Sequence, residues 1–296
     1  MKASFPRDAP RFPRMVVKVS VADVRRESSH ASELMTQAVL GVELEVLRVS
    51  RDRSWYLVRL RDAYTGWIRT WSVIPMSRSD LSKRKAGIAL QVAKRSVPVM
   101  DRPKRSSNIL CELVLGTRLP RLAVSGRWNK TRLPDSTLGW VEQSGLEPLP
   151  CPRPSASAIT DTALRFIGAP YLWGGTTPWG CDCSGLVQTV YSVNGIMLPR
   201  DARDQLRATK ELLVQAEPGR YYPGDLLFFG QSPLSISHVA ISTGGYSFIH
   251  CRGCVARGSL KKGEMGYTHG ISRLLRAATR PLDGVKKDVD KKKGLP

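Results

Sequence analysis

The sequence predicts an α+β domain built on an antiparallel sheet and preceded by two small all-β units. Three observations predict it: a Trp-bearing strand pattern that occurs twice, a proline-rich break near residue 150, and helical then strand-like periodicity beyond that break. At 296 residues the chain exceeds one typical core and suits two or three domains. An apolar fraction of 42% with 24% charged residues is the composition expected of an ordinary soluble globular protein.

Residues 1–14 read as an irregular leader, because Pro6, Pro10 and Pro13 oppose regular structure. Residues 15–80 and 81–147 then carry the repeat. In the first, Leu40-Gly41 precedes the alternating run Glu43–Val49, followed by Trp55–Leu60 and Tyr64–Ile68. In the second, Leu115-Gly116 precedes Arg118–Val124, followed by Trp128–Leu133 and Leu138–Val141. Trp55 to Trp67 and Trp128 to Trp140 are equal intervals. Period-two alternation buries one face of each strand, so each unit reads as a compact barrel with a thin core.

Residues 148–157 hold Pro148, Pro150, Pro152 and Pro154, the composition of an extended linker. The larger C-terminal domain is placed at 158–283. Ala158–Gly168 reads as a helix with Ile159, Ala163 and Phe166-Ile167 on one face. Ser184–Asn194 reads as a second helix, ended by Gly195. Asp225–Phe229, His238–Ser242 and Tyr246–His250 read as strands. Helices followed by strands indicate the α+β class. Residues 284–296, rich in Lys and Asp, are expected to be a disordered tail.

The net charge of +21 invites an anionic partner. The basic residues are scattered, however, and no basic stripe is interleaved with aromatics, so specific nucleic-acid binding is not expected. An acidic small substrate would still be attracted, and salt would then raise its KM. No apolar run reaches the roughly 18 residues of a membrane span. The first residues lack the apolar stretch of a secretory signal, so the expected location is the cytoplasm, with a periplasmic or wall-associated site reached by another route as the alternative. The six cysteines are expected to be reduced thiols, since the chain is far longer than disulfide-dependent scaffolds.

Cys183 sits in Asp182-Cys183-Ser184-Gly185-Leu186, immediately before a predicted helix. Unpaired N–H groups and the positive end of the dipole favour a thiolate there, and the same N–H groups suit an oxyanion. The alternative is a buried structural thiol. Of the four histidines, His238 begins one predicted strand and His250 ends the next, so neighbouring ladder positions would let one imidazole orient the other. Nucleophile, base and orienter make a triad. His30 and His269 show no such pattern. Cys181 and Cys183 with Cys251 and Cys254 offer a rival zinc reading, but Cys-x-Cys is a poor hook and the metal would consume the nucleophile. Oxidative pairing of Cys181 or Cys254 with Cys183 is a further possibility to test.

The motifs Tyr171-Leu172-Trp173-Gly174-Gly175, Asp182–Val187, Pro199-Arg200-Asp201-Ala202 with Gln205, Pro223-Gly224-Asp225-Leu226, His238–Ile241 and Ile249-His250 together resemble the NlpC/p60-type cell-wall cysteine peptidases. The Gly-Trp-Ile and Gly-Trp-Val strand endings are similar to bacterial SH3-like barrels. The resemblance implies a papain-like catalytic domain with Cys183 as nucleophile, His238 as base and His250 as third member, and no cofactor or metal. It implies hydrolysis of the γ-D-glutamyl bond to diaminopimelate or lysine in peptidoglycan stem peptides. Tyr171 would line the site and assist the oxyanion; its alternative is a core aromatic.

A subgroup with two SH3-like domains acts on stem peptides with a free N-terminal L-alanine, whose ammonium needs a carboxylate. Asp182 is placed beside the nucleophile for that task, with Ser184 and Asp201 completing the pocket. The alternative for Asp182 is a helix N-cap, and for Asp201 a turn or cap. Tyr64 of the first barrel, with Glu33 or Glu27, fits the remaining contacts of that subgroup. A free-amine requirement fits recycling of released peptides. The rival functions are an amidase or acyltransferase on the same fold and a catalytically silent wall-peptide binder.

Overall fold

The computed structural model describes residues 14–150, 154–215 and 217–284. The chain divides into two compact units, Met1–Pro150 and Cys151–Pro296. The leader, apart from Arg14, the linker residues Cys151 to Arg153 and the tail from Val285 lie outside the described residues.

In the first unit the strands are β1 (Arg14–Val17), β2 (Val21–Arg25), β3 (Leu34–Val39), β4 (Glu43–Val49), β5 (Trp55–Arg59), β6 (Thr65–Arg69) and β7 (Val73–Pro75). Helix α1 (Arg78–Gly87) follows, then β8 (Ile88–Val92), β9 (Ser96–Met100), β10 (Ile109–Val114), β11 (Arg118–Pro120), β12 (Ala123–Ser125), β13 (Trp128–Arg132), β14 (Leu138–Glu142) and β15 (Leu146–Pro148). The first seven form one sheet in the order β3-β2-β6-β5-β4-β1-β7. The next eight form β10-β9-β14-β13-β12 and β11-β8-β15. Exchanging each strand for its counterpart reproduces the first order, with the counterpart of β4 split into β11 and β12.

Proline explains the split. Pro120 has no N–H to donate, and the ladder to β8 slips between Leu119 and Pro120. The first repeat tolerates only a register shift between Val46 and Arg48. Elsewhere the repeats keep one register: Trp55↔Arg69 and Leu57↔Trp67 recur as Trp128↔Glu142 and Lys130↔Trp140. Val24, Leu44, Val58 and Ile68 fill one core, and Val92, Val99, Leu119 and Val141 the other. Helix α1, at the expected boundary, carries no apolar stripe for a sequence pattern to show, Leu81 being its one buried residue. Its start is nonetheless encoded, since the Ser77 side chain accepts the Asp80 N–H.

The second unit contains α2 (Ala156–Leu164), β16 (Thr176–Thr177), β17 (Gly180–Cys181), α3 (Cys183–Val193), α4 (Ala202–Ala208), β18 (Leu213–Val214), β19 (Leu226–Gly230), β20 (Ile236–Gly244), β21 (Ser247–Arg252), β22 (Cys254–Ser259), α5 (His269–Ser272) and β23 (Leu275–Thr279). An antiparallel sheet runs β18-β23-β19-β20-β21-β22. The linker is shorter than predicted: Pro148 ends β15 and Ala156 already belongs to α2.

Helix α3 is amphipathic in the required sense, with Cys183, Leu186, Val187 and Val190 all buried on one stripe. That stripe packs on β20, whose Val239, Ala240 and Ile241 are buried. The nucleophile candidate therefore occupies the inward face of α3, at its first residue.

Candidate active site

Asp182 is the N-cap of α3, with its side chain accepting the Gly185 N–H at 2.7 Å. The preceding loop is strapped to this turn. Tyr171 N–H donates to the Gly253 carbonyl at 2.8 Å, Leu172 N–H to Cys181 at 3.0 Å and Asp182 N–H to Gly175 at 3.1 Å. A Cβ on Gly185 would overlap the Gly175 carbonyl, so only glycine allows this approach. The glycines of both motifs are thus two sides of one contact.

Cys183 is 9% exposed. Its sulfur receives the backbone N–H groups of Val239 and Ser184. The first of these places the sulfur against β20 at the residue following His238. Burial, then the Asp182 carboxylate, pushes the thiol up to about 11, against the pull of those amides and of Arg200. This corrects the expectation of an acidified sulfur. The Ser184 amide in the first turn of α3 pulls the thiol down, but desolvation and a neighbouring anion outweigh it in the resting site.

His238 Nε2 lies 3.0 Å from His250 Nδ1. The rings meet edge to face, with centroids 5.2 Å apart. Burial above all, then the charge of His250 and Arg252, lowers His238 to about 3. Burial, with Arg252, lowers His250 to about 4. Both imidazoles are therefore neutral at physiological pH. Phe229 and Phe248 pack on them, at 5.8 Å from His238 and 5.0 Å from His250.

Tyr171 is pushed up to about 12 by burial and by the nearby Cys183 and Asp182, so its hydroxyl stays protonated and able to donate. Asp182 is differently engaged from the ammonium role expected of it. Oδ1 accepts from Ser184 Oγ (3.1 Å) and Arg200 Nη1 (3.0 Å), and Oδ2 from the Gly174 N–H (2.9 Å) and Arg200 Nη2. Its acceptor positions are filled and its charge is already matched by a cation. The cap alternative describes it, together with a buried ion pair. Ser184 is likewise committed, accepting from Arg200 at 2.8 Å.

Asp201 is exposed and is the N-cap residue of α4, with no side-chain cap bond. Tyr64 and Glu33 belong to the first unit. Tyr64 lies in the β5–β6 turn, its N–H held by Asp62 at 3.1 Å, and Glu33 precedes β3, paired with Arg26 at 2.6 Å. Glu27, in the same β2–β3 loop, is exposed.

Cys111, Cys181, Cys183, Cys251 and Cys254 are free thiols. Cys181 is hydrogen-bonded to Cys251, and Cys251 Sγ also donates to the Cys181 carbonyl at 3.0 Å. Among the described residues no three His, Cys, Asp or Glu side chains are arranged to hold a metal. No helix among them is long and apolar enough to cross a membrane.

The profile of the NlpC/P60 family matches residues 168–269, a span that holds Tyr171, Cys183, His238 and His250. A gamma-D-glutamyl-L-lysine dipeptidyl-peptidase of Bacillus cereus is 30% identical over 234 residues, covering 75% of this chain and 68% of that protein. The chain belongs to the NlpC/P60 family. The profile of the bacterial dipeptidyl-peptidase Sh3 domain matches residues 24–72, within the first repeat of this NlpC/P60 protein. Dipeptidyl-peptidase 6 of Lysinibacillus sphaericus is 26% identical over 248 residues, 79% of this chain and 86% of that protein. A crystal structure of an NlpC/P60 family protein from Bacillus cereus shares the fold, with a TM-score of 0.80 at 24% identity over 91% of this chain and 99% of that one.

Sequence reasoning missed Arg200 as a member of the site, although Pro199-Arg200-Asp201 was among the motifs. The available signal was a carboxylate on the predicted helix cap, which needs a partner once buried.

Proposed function

We propose that this NlpC/P60 protein is a cysteine peptidase that hydrolyses the γ-D-glutamyl–diamino acid bond of peptidoglycan stem peptides bearing a free N-terminal L-alanine. The observation that carries the mechanism is the His238–His250 bond. With Nε2 of His238 engaged by His250, Nδ1 is the nitrogen left to take the thiol proton. A lone pair on Nδ1 requires the Nε2–H tautomer, which donates to Nδ1 of His250. Orientation and tautomer are thereby set together.

The Cys183 sulfur attacks the γ-carbonyl carbon as its proton passes to His238. The resulting oxyanion meets the Cys183 N–H at the start of α3 and the Tyr171 hydroxyl. Collapse breaks the C–N bond, the leaving amine takes the proton from His238, and a thioester remains. Water, deprotonated by His238, then cleaves the thioester and restores the thiol.

The substrate class is supported by the relatives named dipeptidyl-peptidases, one of them specific in name for a γ-D-glutamyl-L-lysine bond. With Asp182 matched by Arg200, Asp201 is the carboxylate of the second unit proposed for the substrate ammonium. Incubation with L-alanyl-γ-D-glutamyl-L-lysine and its diaminopimelate analogue, with and without N-acetylation, tests the reading by mass analysis. Release of the free diamino acid from the non-acetylated peptides, abolished in Cys183→Ala, is expected. Turnover by Cys183→Ala, or equal cleavage of acetylated peptide, would refute the corresponding half of the proposal.

A further inference from the structure

We propose that Arg200 is a positioning residue for the reaction, acting through Asp182 to tie the Gly174 loop to the nucleophile's turn and to cancel a negative charge beside the sulfur. The proposal rests on Cys183 being the nucleophile.

The Asp182 carboxylate carries five donors. Two are backbone amides from different segments, Gly174 N–H at 2.9 Å and Gly185 N–H at 2.7 Å. The others are the Ser184 hydroxyl and both terminal nitrogens of Arg200. Oδ2 therefore holds the loop that carries Tyr171, while Oδ1 holds the first turn of the helix that carries Cys183. The guanidinium spans both oxygens, fixing their rotation, and its Nη1 also reaches Ser184 Oγ at 2.8 Å. The Arg200 and Asp182 side chains are only 2% and 10% exposed.

The segment bearing Arg200 is anchored a second time. Gln205 Nε2 donates to the carbonyls of Ser184 and Pro199, each at 3.0 Å. Arginine is required because its planar fork matches a carboxylate at two points, whereas a lysine ammonium supplies charge without that geometry. Unmatched, a buried carboxylate one residue before the nucleophile would oppose every anionic form of the sulfur. The charged and titratable groups around that sulfur come from each neighbouring element. They are Asp182 on its own turn, Tyr171 on the preceding loop, Arg200 before α4, His238 on β20, and His250 on β21 with Arg252 acting on both imidazoles. Cys181, which feels Cys183 electrostatically, is buried and bonded to the buried Cys251. Arg200 is the cation that contacts Asp182 directly.

Alkylation of Cys183 by iodoacetamide, followed against pH by peptide-resolved mass spectrometry, needs no substrate and so separates this proposal from the assignment of activity. In R200M the rate at neutral pH is expected to fall about tenfold or more, because each unit rise in thiol pKa removes about nine-tenths of the thiolate. In the D182N/R200M double variant both charges are gone, and the profile is expected to return to within about threefold of wild type. Its kcat stays low because the bridge to the Gly174 loop is weakened. R200K, which keeps the charge and is expected to fold, should retain the wild-type alkylation profile while kcat falls about tenfold. A wild-type profile and kcat in R200M would overturn the proposal. So would a double variant as shifted as the single one, or R200K with wild-type kcat. Should R200M fail to fold, the other two variants decide. If Cys183 is not the nucleophile, Cys183→Ala turns over substrate whatever the alkylation profiles show.

Discussion

His238 and His250 are bonded through Nε2 and Nδ1 at 3.0 Å although they are not facing partners in their ladder. The β20–β21 register pairs Ile241 with Ile249, so its extension sets His250 opposite Ala240, one diagonal step from His238. Two imidazoles meet there because residues 238 and 240 share a face. The Cys183 sulfur takes the N–H of the residue after His238, Val239.

Removing the orienting ring is expected to cost turnover rather than binding. His250→Ala should lower kcat by about 10²-fold with KM within about twofold, since His238 loses its tautomer and its aim. His250→Asn, which keeps an acceptor, should recover part of the loss. Steady-state kinetics on both variants check this.

The pH dependence follows from the lowered imidazoles. His238 titrates at about 3 and His250 at about 4, each below the usual 6.5 through burial first. The base is then available well below pH 6, so kcat/KM is expected to hold through pH 5 and fall only nearer pH 4. Stability moves the same way. The unfolded chain binds these protons near 6.5 and the folded one only near 3 and 4, so protonation favours unfolding and stability declines as pH drops through that window. A kcat/KM profile with an acid limb at 6.5 would contradict the neutral resting pair.

A resting thiol is the companion expectation. With Cys183 near 11, the difference absorbance at 240 nm between wild type and Cys183→Ala should stay flat through neutral pH and rise only in the alkaline range. A thiolate signal at pH 7 would mean an ion pair already formed in the free enzyme.

Gly185→Ala tests the contact between the two glycine motifs. Alanine gains about 1 kcal/mol in helix propensity, but overpacking against a backbone carbonyl costs about 1–3 kcal/mol or more. Because Gly175 is backbone and cannot rotate away, the clash is expected to win, lowering the midpoint of denaturation and displacing the nucleophile's turn.

Arg280→Ala should destabilise the second unit by about 3–5 kcal/mol, because a buried anion loses its partner. Asp225 is 1% exposed and is held by Arg280 at 2.8 and 2.9 Å, with the guanidinium stacked 4.2 Å from the Tyr222 ring. Urea denaturation of wild type and variant measures it.

Legibility differed by element. The Trp-bearing hairpins could be read because a Trp opens the first strand of each and a Gly-Trp pair enters the second at an equal interval, and the observed ladders keep one register in both repeats. Helix α3 could be read from its apolar stripe, and β19 to β21 from their apolar runs. Helix α1 had no apolar stripe to announce it, and β22 and β23 lack alternation strong enough to stand out from loop.

By itself the sequence marked the candidate side chains and the elements they ride on, because periodicity and capping are local and need only neighbours a few residues away. Only the tertiary structure decided what those groups are in the resting protein. Burial against β20 turned an expected thiolate into a thiol, and Arg200, distant in sequence, claimed the Asp182 carboxylate. Desolvation and ion pairing depend on what the chain packs alongside, and no local pattern encodes them.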